Sequence, residues 1–256
     1  MASRFGHPAY HYASTDTTMR AAAALARQGC PEGTIVTADE QTAGRGRLGR
    51  SWASQAGCGL YLSLVLRPPI LPHLAPMLTL AAGVGVKEAV EGLTGLSCDI
   101  RWPNDILVKE RKFCGILVEM ETERQRVGHL IVGIGINLDQ EEFPPDLGRT
   151  ATSLRIETGR NWSRLQVLDP VLRSLEASYD LYLEGGAEPV LEAFQAASSY
   201  ARGRRVVIEG GPEDGSLPAG GVTAGLNQQG LLLLEDARGS VSPVVAGSVR
   251  PHTGTL

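Results

Sequence analysis

Gln41-Thr42-Ala43-Gly44-Arg45-Gly46-Arg47-Leu48-Gly49-Arg50-Ser51-Trp52 is the stretch on which the fold reading turns. Arg45, Arg47 and Arg50 stand among Gly44, Gly46 and Gly49, just after the short apolar run 34–38. Guanidinium groups this close repel one another, so the segment makes most sense around an anion. Glycines let a backbone turn tightly and approach a ligand, the physical basis of a phosphate cradle. The stretch reads as a mobile anion clamp, with a solvated basic loop as the plain alternative. The same glycines fit the G-x-G-x-x-G pattern of dinucleotide-binding folds. That pattern needs a helix opening at its third glycine and an acidic residue about 20 positions on. Here residues 51–59 hold Gly and Ser breakers and the downstream position is Pro68-Pro69, so the nucleotide-redox reading is set aside.

Outward from this loop, Ser14-Thr15-Asp16 precedes an alanine-rich run, 17–28, that stops at Gly29, which predicts a helix with a capping signal and a glycine stop. Residues 34–38, 60–66, 98–102, 106–108, 113–120 and 130–136 are short, rich in Val, Ile and Leu, and read as strands of a mixed sheet. Between the second and third of these, 74–93 is apolar and helix-like and covers one face. Residues 140–148 form an acidic, proline-bearing loop, and 164–183 and 189–199 carry helical spacing. From Arg202 onward glycines alternate with β-prone runs at 205–209, 221–224, 231–235 and 241–249, which predicts a small β-barrel. The expected fold is therefore α/β (α+β): a mixed β-sheet flanked by helices in residues 1–201, then a small C-terminal β-barrel in 202–256. Residues 210–221 read as a flexible loop.

Hydrophobic residues make up 43% of the 256 and charged residues 20%, an ordinary globular balance with room for one large core and a smaller one. The formal net charge is −4, from 24 basic and 28 acidic side chains, which speaks against a general nucleic-acid or anionic-membrane surface. Cys30, Cys58, Cys98 and Cys114 form no C-x-x-C pair and no metal-ligand rhythm with the histidines, so reduced thiols are expected and no protein metal ligand is assigned. The N-terminus lacks an apolar core of signal-peptide length, and the most apolar stretch, 77–90, is broken by Lys87 and Glu88, so a cytoplasmic protein is expected.

Two further segments carry chemistry. Arg101-Trp102-Pro103-Asn104-Asp105 leads into Arg111-Lys112-Phe113-Cys114-Gly115-Ile116-Leu117-Val118-Glu119, placing a lysine just before a buried-looking strand and beside a glycine. An ammonium there suits a carboxylate or phosphate, with Gly115 leaving room for ligand; a strand-edge lysine that discourages aggregation is the alternative. In Val132-Gly133-Ile134-Gly135-Ile136-Asn137-Leu138, alternate glycines leave one strand face bare, either for something bulky or for close helix packing. Asn137 both donates and accepts, which suits an adenine edge or a neighbouring turn equally.

Taken in order, S-T-D-T, Q-x-x-G-R-G-R-x-G-R-x-W, W-P-N-D, R-K-x-x-G-I-L-V-E and G-I-G-I-N-L resemble biotin protein ligases, in register from Tyr12 to Leu138. The resemblance implies a class II aminoacyl-tRNA synthetase-like catalytic core. It also implies biotin and ATP as substrates, Mg²⁺ as activating ion, and a biotin carboxyl carrier domain as the protein partner. Biotin would be activated to biotinyl-AMP and passed to a carrier lysine. Repressor members of that family begin with a helix-turn-helix, for which there is no room before Ser14, so no DNA-binding role is expected. Monomer and homodimer both stay open.

The resemblance also implies roles. Lys112, Arg45, Arg47 and Asp105 would be catalytic, the cations meeting carboxylate and phosphates and Asp105 positioning Lys112 or the incoming amine. Ser14, Thr15, Asp16, Gln41, Gly44, Arg45, Gly46, Arg47, Lys112 and Gly115 would bind biotin. Asp16 replaces the asparagine often found there and, ionised, accepts but does not donate. Arg47, Arg50, Trp52, Asn104, Lys112 and Asn137 would take the nucleotide, with Trp52 and the arginine loop folding over the intermediate. The competing readings are a lipoate or octanoyl ligase or transferase of the same architecture, and a non-catalytic module that keeps a biotin or nucleotide pocket.

Overall fold

The computed structural model describes residues 3–210 and 220–252, so most of the loop expected at 210–221 lies outside the described residues. The chain runs β1 (Ala9–Thr15), α1 (Thr18–Arg27), β2 (Ile35–Gln41), β3 (Gly59–Leu66), α2 (Pro76–Thr94), β4 (Asp99–Arg101), β5 (Asp105–Val108), β6 (Arg111–Glu123) and β7 (Arg126–Asn137). Then come α3 (Leu154–Thr158), α4 (Arg164–Gly185), α5 (Ala187–Ala197), β8 (Arg202–Glu209), β9 (Gly220–Leu226), β10 (Leu232–Glu235), β11 (Val241–Val244) and β12 (Ser248–Pro251). The first seven strands form one mixed sheet in the order β1-β2-β3-β7-β6-β5-β4. Only β1 and β2 pair in parallel, and α1 is the crossover that parallel neighbours require.

Strand alternation assigns the two faces. On β3 and β7, Leu60, Leu62, Leu64, Leu130, Val132, Ile134 and Ile136 point into the large core shared with α2 and α4. Each fully buried Leu or Ile of this kind contributes about 1.5–3 kcal/mol. Val65 and Ile131 point the other way and meet Met19, Ala22 and Ala26 of α1. Gly133 and Gly135 share that second face, so the residues that would have continued the packing there are missing.

Each helix stops for a local reason. Gly29 takes φ 85 after α1, and Arg67 Nη2 donates to Ala26 O at 2.7 Å; Gly95, at φ 74, closes α2. β1 is absent from the sequence expectation because its exposed edge strand, A-Y-H-Y-A-S-T, shows no apolar alternation. The helix expected from the Ser14-Thr15-Asp16 signal begins later. Ser14 and Thr15 end β1, and Thr17 is the cap.

The C-terminal segment departs from the expected barrel. Its strands form an open antiparallel sheet, β11-β10-β9-β8-β12, in which β11 and β12 are the two edges. The run 241–249, expected as one strand, breaks at Val245-Ala246-Gly247, where Gly247 turns the chain at φ 110 and leaves four-residue strands on either side. Leu232, Leu234, Val244 and Val249 join the large core, and Trp102 Nε1 donates to Gly230 O at 2.9 Å.

Candidate functional site

One cleft, enclosing about 450 Å³ of empty space partly open to solvent, lies over the second face of the large sheet. Its floor follows from register. Gly115 of β6 faces Gly135 of β7, and Gly133 lies two residues before Gly135 on the same face, so neighbouring strands present a bare patch at these three positions, bordered by Leu117 opposite Gly133 and Tyr61 of β3 opposite Gly135. Gly133 and Gly135 of β7 are bare for different reasons. A Cβ at Gly133 would come within 2.7 Å of Met19 Sδ, whereas one at Gly135 would come within 2.5 Å of Trp52 Cε2. Both uses weighed from sequence, helix packing and a bulky occupant, are present one residue pair apart.

Trp52 covers this floor. Its ring lies against Gly115 and Gly135, Lys112 Nζ stands 5.0 Å from the ring centroid, and its buried Nε1 has no hydrogen-bond partner among the described residues. A buried indole donor left unpaired costs free energy that an acceptor brought by a ligand would recover.

The cations arrive from two directions. Lys112, at the start of β6, has Nζ 2.6 Å from Asp105 Oδ1, while Arg101 Nη2 donates to Asp105 Oδ2 at 2.8 Å. Burial pushes the Asp105 carboxyl up, but Lys112 and Arg101 outweigh it and hold the group down at about 2. Asp105 is therefore an ionised anchor and a poor base. Arg47 Nη1 donates to Asn104 Oδ1 at 3.1 Å, and Asn104 Nδ2 donates to Ile116 O at 2.8 Å. Burial lowers the Arg47 pKa and Arg50 adds to this, against the raising influence of Asp105. Arg45 lines the cleft, and among the described residues no hydrogen bond or ion pair engages its side chain.

Of the residues singled out from sequence, Gln41, Arg45, Gly46, Arg47, Trp52, Asn104, Lys112 and Gly115 line the cleft, and Asp105 lies behind it on Lys112. The others are engaged elsewhere. Ser14 Oγ donates to Glu40 at 3.1 Å, and Thr15 Oγ1 donates to Asp16 at 3.4 Å. Asp16 also accepts the Thr17 N–H at 2.6 Å and pairs with Arg20. Gly44 sits beneath the Trp52 carbonyl, where a Cβ would come within 2.5 Å. Arg50 reaches Ser248 in the C-terminal sheet. Asn137 Nδ2 donates to Thr152 O at 3.0 Å, and its Oδ1 accepts from Gln140 at 3.4 Å. Gln41, within the cleft, accepts from Thr18 N at 2.8 Å and donates to Ser54 Oγ at 2.9 Å.

Sequence reasoning missed Thr17, Thr18, Met19 and Leu62 as lining residues. The alanine run drew attention to helix formation and away from what the first turn of α1 presents. It also missed the strap 150–152, which hydrogen-bonds along the main chain of Lys112: Lys112 N donates to Thr150 O at 2.8 Å and Thr152 N to Lys112 O at 2.9 Å. Arg111 and Lys109 pair with Glu157 and fasten that strap from outside. Among the described residues no group of three or more His, Cys, Asp or Glu side chains could hold a metal, and no helix is long and apolar enough to cross a membrane.

Comparison with known proteins agrees with this geometry. The family model described as the biotin/lipoate A/B protein ligase family matches residues 12–137, which carry both the arginine loop and the glycine floor. A bifunctional ligase/repressor BirA of Bacillus spizizenii is 41% identical over 225 residues, covering 87% of this chain and 68% of that protein. A biotin–[acetyl-CoA-carboxylase] ligase of Mycobacterium tuberculosis is 35% identical over 228 residues, covering 85% and 79%. The solved biotin protein ligase from Aquifex aeolicus, in complex with biotin and ATP, superposes with a TM-score of 0.77 at 32% identity, covering 94% of this chain and 97% of that one. With the motifs and these relatives in agreement, the chain belongs to the biotin/lipoate A/B protein ligase family.

Proposed function

We propose that the protein activates biotin with ATP to biotinyl-5'-AMP and transfers the biotinyl group to a lysine of a carboxylase carrier domain. The observation that carries this is the meeting of Lys112, Arg47 and Arg45 over a glycine floor in one cleft. In the first step a biotin carboxylate oxygen bonds to the α-phosphorus of ATP, which enters as its Mg²⁺ complex, and the bond to pyrophosphate breaks. Fixed cations offset the negative charge gathered there. Lys112, held by Asp105, meets the carboxylate and α-phosphate, and Arg45 and Arg47 meet the phosphates from above. In the second step the neutral amine of the carrier lysine attacks the acyl carbon, AMP leaves with the bonding pair, and the amine proton passes to solvent. Asp105, already ionised and paired, orients Lys112 and does not take that proton. Trp52 and the arginine loop keep water from the anhydride.

Mg²⁺ in this scheme travels with the triphosphate, because Asp105, the carboxylate behind the cleft, is engaged by Lys112 and Arg101. We take residues 1–201 as the catalytic unit and 202–256 as a small domain beside it. Incubation with biotin, Mg²⁺, ATP and a candidate carrier domain, followed by mass analysis of the carrier, tests the reading. One biotinyl group added per carrier supports it. Addition of a lipoyl or octanoyl group when lipoate or an octanoyl thioester replaces biotin, with no biotinyl group added in the first mixture, moves the protein to another branch of its family.

A further inference from the structure

The crown of the arginine loop is anchored outside the cleft. Arg50 Nη1 donates to Ser248 Oγ at 3.2 Å, and Arg50 Nη2 stands 3.8 Å from Glu209 Oε2. Glu209 and Ser248 are register partners across β8 and β12, so the two acceptors form one preset pair at the end of the C-terminal sheet. Glu209 is itself oriented by Arg250, whose Nε donates to Glu209 Oε2 at 2.9 Å. Beside this contact Leu48, at φ 57, places Cδ1 so close to Gly210 that a Cβ there would come within 3.2 Å. A leucine holds the left-handed conformation only where its surroundings impose it.

Arg50 and Arg47 belong to one short turn. Gly46 N donates to Arg50 O at 2.7 Å, and Arg50 N donates to Arg47 O at 3.2 Å. The turn thus has two anchors pointing opposite ways, Arg47 on Asn104 inside the cleft and Arg50 on the C-terminal sheet outside it. Three arginines within six residues repel each other, and a carboxylate outside the cleft offsets that repulsion without competing with a ligand for Arg45 and Arg47.

We infer that Glu209, assisted by Ser248, is a positioning residue: it latches Arg50 to the C-terminal sheet, keeps Arg47 seated in the cleft and sets how often the arginine loop opens. The consequence, slower escape of the acyl-adenylate before a carrier arrives, rests on the function proposed above; the latch does not.

Limited trypsin digestion of the ligand-free full chain reads loop opening directly, at Arg45 and Arg47, against the exposed turn at Arg124 and Arg126 as internal control. Glu209→Gln and Ser248→Ala should each speed loop cleavage about 2- to 5-fold, the range of an exposed pair, with control cleavage and thermal midpoint unchanged. The exchanged pair Arg50→Glu with Glu209→Arg should return the rate to near the original. With biotin and ATP, Glu209→Gln should release free acyl-adenylate faster by a similar factor. Loop cleavage that does not change, or that rises only in step with the control turn, overturns the latch. Faster loop cleavage in a protein that forms no acyl-adenylate sinks the proposed function and leaves the latch standing.

Discussion

Lys112 and Arg45 bring the same charge to the same cleft from opposite kinds of ground. Lys112 rises from a central strand, tied to the Asp105 carboxylate and bracketed by a strap on its main chain. Arg45 hangs from an exposed glycine-rich loop with no side-chain partner among the described residues. The floor is preorganised, so its groups act at full strength when charge develops; the lid is anchored through Arg47 and Arg50, and Arg45 is left to an incoming ligand. Arg47 stands between them, a lid residue with one foot on the floor through Asn104.

Substitutions that separate floor from lid sharpen this contrast. Lys112→Ala is expected to have the largest effect, lowering biotin-dependent adenylation about 10²–10³-fold, the loss typical of one preorganised electrostatic group. Single-turnover kinetics check it, and a smaller loss than that of any loop arginine would reverse the assignment of floor and lid. Arg47→Ala comes next. About a 10- to 100-fold loss of turnover is expected with little change in thermal midpoint, and equal damage to folding and activity would make Arg47 a structural residue.

Acid titration tests the floor alone. The Asp105 carboxyl sits lower in the folded protein than in the unfolded chain, so its contribution to stability is complete above pH 4 or so and is lost as pH falls toward about 2. A loss of about 2 kcal/mol across that window is expected, roughly thirtyfold in the folding equilibrium. Asp105→Asn should flatten it; an acid limb unchanged by that substitution would mean that other carboxylates carry the dependence. Gly135→Ala should displace the Trp52 ring, lowering adenylation about tenfold through overpacking, with a shift in tryptophan emission as the direct readout. Arg45→Ala should be the mildest, raising the KM for ATP a few-fold and leaving thermal stability within about 0.5 kcal/mol. A marked drop in stability would show that Arg45 holds the loop in place rather than waiting for a ligand.

Much of this contrast was legible before any coordinates. The central strands declare themselves as short runs rich in Val, Ile and Leu, such as 60–66, and α2 as the long apolar run 74–93. The arginine loop and Lys112 stand out by charge against an apolar background. What escaped has a common cause: residues whose role is set by partners distant in sequence. β1 has no apolar face because it is an exposed edge, and Met19 meets Gly133 only after α1 crosses the sheet. Asn137 offered two readings, and its contact with Thr152 depends on a return of the chain that local sequence does not reveal. The barrel was inferred from the rhythm of short β-prone runs, but closure depends on whether edge strands meet, and β11 and β12 do not pair.

The central claim is that these cations meet around one cleft in order to join biotin to AMP. Exchange of labelled pyrophosphate into ATP, with biotin and Mg²⁺ but no carrier, tests it most directly. The account predicts exchange that requires biotin, is carried out by the folded wild-type chain and nearly disappears in Lys112→Ala. Folded wild-type protein that shows no biotin-dependent exchange would contradict it.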